Sequence, residues 1–196
     1  MSAEQTTETE RPVRADARRN RMRILEAARE LFSHERPDVQ MDDVARLAGV
    51  GVGTVYRHFR DKHALMGALV RERFAEFDER LREAVDADAP DPFAALCEVL
   101  RTNAASLSED AATRYALMSG GERAFAYAIE EAEEFMRLSE ILVGRARAAG
   151  SLRVDFDAEE IPMIMCGVCS TMDPGKPDWD WRRYLELILD GMRARA

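Results

Sequence analysis

The sequence predicts an all-α protein of about nine helices in two parts, a small N-terminal bundle and a larger helical body. Three observations lead there. Ala, Leu, Arg and Glu dominate the 196 residues, while 11 Gly and 7 Pro are too few for a strand-and-turn protein. Apolar residues recur at three- and four-residue spacing, with no convincing strand alternation. Gly and Pro fall between those runs, where they punctuate them. With 46% hydrophobic and 33% charged residues, the chain is too apolar for disorder and large enough to bury a core without a disulfide or metal staple.

The elements follow in order. Residues 1–16 read as a disordered arm, and six Arg stand between Arg11 and Arg23. A helix over Ala17–Ser33 carries Ile24, Leu25, Ala28, Leu31 and Phe32 on one face. After Pro37, a short helix over Met41–Ala48 stops at Gly49, the residue suited to a left-handed cap. A second short helix, Val52–Phe59, follows within one turn. Asp61 then caps a long helix to Val85 whose inner positions are Leu65, Leu69, Phe74, Phe77 and Leu81.

Ala89-Pro90-Asp91-Pro92 is a break that places Asp91 as N-cap and Pro92 at the first helical position. The helix it opens turns Phe93, Leu96, Cys97, Leu100, Ala104 and Leu107 to one side. A short helix over Asp110–Met118 leads to Gly120-Gly121, and a long one is expected over Glu122–Ala149. Its apolar face runs through Phe125, Ala128, Ile129, Ala132, Phe135, Met136, Leu142 and Val143, while the Glu130-Glu131 and Glu133-Glu134 pairs read as solvated. Asp157-x-x-Glu160 reads as a capping box, with Pro162 expected to kink the helix that follows to Met172. A last helix carries Trp181, Leu185, Ile188 and Met192.

Charge is uneven. The net charge is −9, yet Arg11–Arg73 hold 14 Lys/Arg against 9 Asp/Glu, and the rest of the chain is acidic. A basic block on an acidic body fits a module facing a polyanion, or charges clustered on solvated helix faces. No apolar run is long enough for a membrane span, and Met1–Arg11 lacks the apolar stretch of a secretory signal. Three cysteines, Cys97, Cys166 and Cys169, have no framework spacing, so a reducing cytoplasmic setting is expected.

Two short helices joined by a turn with Gly form a helix-turn-helix, whose second helix can enter a DNA major groove. Gly53 and Val52 at its start allow close approach, and Thr54, Tyr56 and His58 offer donors for phosphates. Arg57 reaches for a base edge, best a guanine, and Lys62 adds a cation beside the same surface. A helical hairpin with polar surface residues is the plainer alternative.

The stretch Ala45-Arg46-Leu47-Ala48-Gly49-Val50 and then Thr54-Val55-Tyr56-Arg57-His58-Phe59-Arg60-Asp61-Lys62-His63-Ala64-Leu65 resembles the DNA-binding signature of the tetracycline-repressor (TetR) family, A-x-x-A-G-V then T-x-Y-x-H-F-x-x-K-x-x-L. The likeness extends over about Arg18–Leu69, and the remainder is similar in helix count to the SbtR-like subgroup. Met41 and Asp42 stand where many members carry Thr or a basic residue, which shifts phosphate contact towards the arm's Arg14 and Arg18.

The resemblance implies a helix-turn-helix DNA-binding domain over 17–62 and a ligand-binding and dimerisation domain over 63–196. It implies a homodimer on a palindromic double-stranded operator, and a small-molecule effector that releases a repressor. It implies no enzyme activity. The dimer face would draw on Ile161, Met165, Val168, Trp181, Tyr184, Leu185 and Ile188, residues that serve equally well as intrachain core. Phe74, Phe77, Phe93, Tyr115, Met118, Phe125, Phe135 and Met136 would line an effector cavity, with Asn103 and Ser139 as its polar groups.

The i,i+3 pair Cys166 and Cys169 reads as packing, and no hydrolase, phosphate-loop, dinucleotide or metal spacing occurs, so no cofactor or metal is expected. The alternative function is a helical small-molecule-binding protein or enzyme that keeps the helix-turn-helix as scaffold.

Overall fold

The computed structural model describes residues 5–34, 39–87, 89–172, 175 and 178–194, with side chains described from residue 15 onward. Ten helices make up the described chain: α1 (Gln5–Ser33), α2 (Met41–Ala48), α3 (Val52–His58), α4 (Lys62–Asp86), α5 (Pro92–Glu109), α6 (Ala111–Ser119), α7 (Gly121–Phe125), α8 (Ile129–Ala148), α9 (Glu160–Ser170) and α10 (Trp181–Met192). Among the described residues the sole extended pairing is an isolated antiparallel bridge, Leu152 to Arg193, which ties the end of α10 to the loop after α8.

Two apolar clusters hold these helices. The first joins Ile24, Leu25, Ala28 and Phe32 of α1 to Val44, Ala45, Val55 and Phe59, and to Leu65 and Leu69 on the first half of α4. The second joins Phe77 and Leu81 on the second half of α4 to α5, α8, α9 and α10. Helix α4 is therefore a single rod with each end in a different core. Phe74 and Leu117 pack against both clusters.

Local chemistry sets the element boundaries. Gly49 adopts φ 63°, and the Val50 N–H reaches the Ala45 carbonyl at 3.1 Å, so α2 ends in a Schellman motif. Asp61 caps α4 by accepting from the Ala64 N–H at 2.8 Å, and Asp91 caps α5 by accepting from Phe93 and Ala94. The expected inner faces of α1, α4 and α5 are the buried ones.

Four expectations are corrected. Helix α1 begins at Gln5 rather than Ala17, so the expected arm is helical from that residue. Its acidic residues Glu8 and Glu10 precede its Arg run, the order that a helix dipole favours. The expected long helix over Glu122–Ala149 is broken at 126–128 into α7 and α8. Ala124 and Ala128 before and at the break pack in the first cluster, and Phe135, Leu138 and Leu142 after it in the second. Ile129, expected inside, is exposed there. Pro162 stands in the first turn of α9, which starts at Glu160, so its missing N–H breaks no helical bond. Finally, Glu131 and Glu134 are half-buried and ion-paired rather than simply solvated: they pair with Arg71 and with Arg82 and Arg137.

Candidate nucleic-acid interface and effector cavity

Helix α3 is held by its inner residues. Val55 is fully buried and Phe59 nearly so, while the Arg21 guanidinium lies 5.4 Å from the Phe59 ring. Arg23 donates to the Gly49 carbonyl at 3.2 Å and so braces the turn between α2 and α3. What α3 turns outward is the expected set: Val52, Gly53, Tyr56 and Arg57 are exposed, and Thr54 and His58 are half-buried. Among the described residues, Arg57 has no hydrogen-bond or ion-pair partner, so its guanidinium is free to meet a ligand. Lys62 is half-buried with its ammonium 5.6 Å from the Phe32 ring. Arg18 is exposed on α1, and Arg14 lies outside the residues whose side chains are described.

An ion network links this module to the body. Asp110, the N-cap of α6, accepts from Arg29 of α1 at 3.2 Å, from Arg73 of α4 at 2.5 Å and from the Thr113 backbone at 2.9 Å. Burial would raise its carboxyl, but hydrogen bonds from Thr113 and Arg73 outweigh burial and hold it below the usual range. Arg29 also donates to Glu72 at 2.6 Å. Nothing in the pattern of apolar residues pointed to this network, because its members are distant in sequence.

A cavity of about 120 Å³ opens between α4, α5, α6, α7, α8 and α9. Phe74, Phe77, Asn103, Met118, Phe125, Phe135 and Met136 line it, as expected, and Phe74 meets Phe135 edge to face at 5.4 Å. Three expected residues lie elsewhere. Phe93 is fully buried with the Arg193 guanidinium 5.0 Å from its ring, Tyr115 stacks on Phe32, and Ser139 is buried outside the lining with no partner for its hydroxyl. Leu107, Leu117, Ala132, Pro162, Met165, Cys166 and Cys169 also contribute to the wall. The four from Pro162 onward belong to α9, whose packing against α5 the apolar pattern did not foretell. Asn103 is 1% exposed, and its amide oxygen accepts from Arg80 at 3.1 Å.

On the dimer-face candidates the fold divides the set. Ile161, Val168 and Leu185 are buried within the chain's own core, and Met165, Trp181 and Ile188 pack against it. Tyr184 is exposed, as are Met163 and Leu187.

Comparison with known proteins decides the family. Residues 24–69 match the profile of bacterial regulatory proteins of the tetR family, and residues 91–194 match the C-terminal domain of SbtR-like transcriptional regulators. A solved TetR transcription regulatory protein from Mycobacterium vanbaalenii is 33% identical, with a TM-score of 0.56, over 93% of this chain and 100% of that one. The chain belongs to the TetR family.

The TetR profile spans the helix-turn-helix, and the SbtR-like one spans α5 to α10. An HTH-type transcriptional regulator of Staphylococcus aureus strain USA300 is 36% identical over 75 residues, which are 38% of this chain and 40% of that relative. The FadR regulator of Bacillus subtilis, solved with stearoyl-CoA, aligns over 86% of this chain and 95% of its own with a TM-score of 0.69. At 19% identity that likeness is one of fold. The chain is thus a transcriptional regulator of the TetR type rather than an enzyme, with its helix-turn-helix in α2 and α3. Among the described residues no helix is long and apolar enough to cross a membrane.

Proposed function

We propose that this TetR-family chain is a repressor that binds a palindromic operator as a homodimer and is released by a small, largely apolar effector. The observation that carries the DNA half is Arg57, exposed and unpartnered on the outward face of α3, behind which Val55 and Phe59 lock the helix in place. Arg57 reads a base edge, most favourably a guanine, while Tyr56, Thr54, His58, Lys62 and Arg18 meet phosphates. The second copy pairs through α9 and α10, with Met163, Tyr184 and Leu187 at the contact, since exposed residues of this size on neighbouring helices need cover.

The effector occupies the cavity walled by Phe74, Phe125 and Phe135. Phe74 belongs to both packing clusters, so a ligand that displaces its ring shifts α4 in both. Moving the two recognition helices apart spoils their spacing for the operator, and a coupling of about 1–3 kcal/mol changes affinity about 5- to 150-fold. Selection of bound fragments from random duplex DNA tests the DNA half. An enriched inverted repeat is expected; no enrichment at low ionic strength would overturn the proposal.

A further inference from the structure

The cavity wall is almost wholly apolar, and Asn103 is its amide. A guanidinium only donates hydrogen bonds, so the 3.1 Å contact from Arg80 fixes the Asn103 oxygen on the Arg80 side. The two amide N–H donors therefore point the other way, and among the described residues neither has an acceptor. Such donors, on a side chain 1% exposed in a cavity wall, call for an acceptor on whatever fills the space. The charge on Arg80 behind the amide strengthens those donors.

Helix α9 brings Met165, Cys166 and Cys169 to the same wall. The chain's thiols are not equivalent. Cys97 and Cys169 are buried, and burial pushes each up to about 11, so both stay protonated and shielded. Cys166 is exposed in the single chain and lines the cavity, so a molecule that enters the cavity reaches it.

We propose that Cys166 is a covalent capture site for apolar α,β-unsaturated carbonyl compounds, with Asn103 binding their carbonyl oxygen. The apolar body lies among the phenylalanine rings and the oxygen accepts from the Asn103 amide. The Cys166 thiol gives its proton to water, and its sulfur bonds to the β-carbon. The π electrons of the double bond move to the oxygen, forming an enolate that the Asn103 N–H stabilises. A proton from water then reaches the α-carbon. The thiol and the ligand are consumed in one addition, with nothing oxidised or reduced. Capture stands on the cavity itself, whereas its consequence for DNA rests on the effector reading above.

The test uses the full chain and the aromatic enone 4-phenylbut-3-en-2-one, followed by intact mass and peptide mapping. One adduct per chain at Cys166 is expected, none in Cys166→Ser, and slower addition when the saturated ketone 4-phenylbutan-2-one competes. Asn103→Leu should slow enone addition about tenfold, the worth of one hydrogen bond to the developing enolate. The same variant should leave alkylation of Cys166 by iodoacetamide unchanged, since that reaction forms no enolate. Absence of an adduct, first reaction at Cys97 or Cys169, or equal enone rates in wild type and Asn103→Leu would each overturn the proposal. The adduct is then assayed on a duplex recovered from the random pool. Release supports both readings; unchanged binding by a chain carrying the Cys166 adduct leaves the capture site standing and refutes the effector reading.

Discussion

Asp78 offers a sharp test of the packing between α4 and α8. It is 5% exposed, its Oδ1 has no hydrogen-bond partner, and Glu134 and Glu131 of α8 stand near it with Arg82 as the compensating cation. Burial first, and then Glu134, push its carboxyl from 3.8 up to about 6. A folded-state value above the unfolded one means that the folded chain holds the proton more tightly. The carboxyl therefore weakens the fold as pH rises from about 4 to about 6, and the full penalty is present above that window.

A displacement of that size corresponds to about 3 kcal/mol at neutral pH. Replacing Asp78 with Asn keeps the shape and removes the charge. Urea unfolding of Asp78→Asn at pH 7.5 should show a gain of about 2–3 kcal/mol, or roughly 4–12 °C in Tm for a chain of this size. Repeating the titration near pH 3 should shrink the gain to almost nothing, because wild-type Asp78 is then mostly protonated in both states. An Asn variant that is no more stable at pH 7.5, or whose advantage is the same at both pH values, would refute this account of the α4–α8 contact.

Four further outcomes are expected. Gly49→Ala forces a Cβ into a backbone with φ 63° and within 2.6 Å of the Arg23 guanidinium, so thermal unfolding should report a loss of about 1–2 kcal/mol. Asp110→Ala removes a cap and the shared partner of Arg29 and Arg73; chemical denaturation should show a loss of about 2–3 kcal/mol, of which Asp110→Asn restores part by keeping the cap. Arg57→Ala should relax preference at one base position by about 1–3 kcal/mol, whereas Lys62→Ala should weaken all duplexes alike and lower the salt slope by about one; identical effects on selected and random DNA would contradict that division. Leu187→Glu should yield monomers in light scattering if the α9–α10 face pairs two copies, and an unchanged mass would place the contact elsewhere.

The sequence made the DNA-binding half legible because its signals are local. Gly49 can stop a helix, Asp61 and Asp91 can cap one, and Pro92 can begin one without help from distant residues. Apolar spacing then chose the inner faces of α1, α4 and α5. The cavity was partly legible for the same reason: the phenylalanines and Asn103 lie on periodic stripes. Cys166 was not, because a thiol on a helix face has the same spacing whether it packs, meets solvent or borders a cavity. The break between α7 and α8 had no signal either, since no Gly or Pro stands between Glu122 and Ile129.

What the amino-acid order determined alone was where α2 stops, where α4 and α5 start, and which side of α1, α4 and α5 is apolar. Those properties depend on backbone conformations and hydrogen bonds spanning a few residues. Only the tertiary structure decided which apolar sides meet. It put Ile161, Val168 and Leu185 inside the chain rather than on an outer face, joined Asp110 to Arg29 and Arg73, and opened a space between Asn103 and Cys166. The physical reason is that apolar burial is non-directional: it fixes that a stripe is covered, while the fit of whole helices selects what covers it.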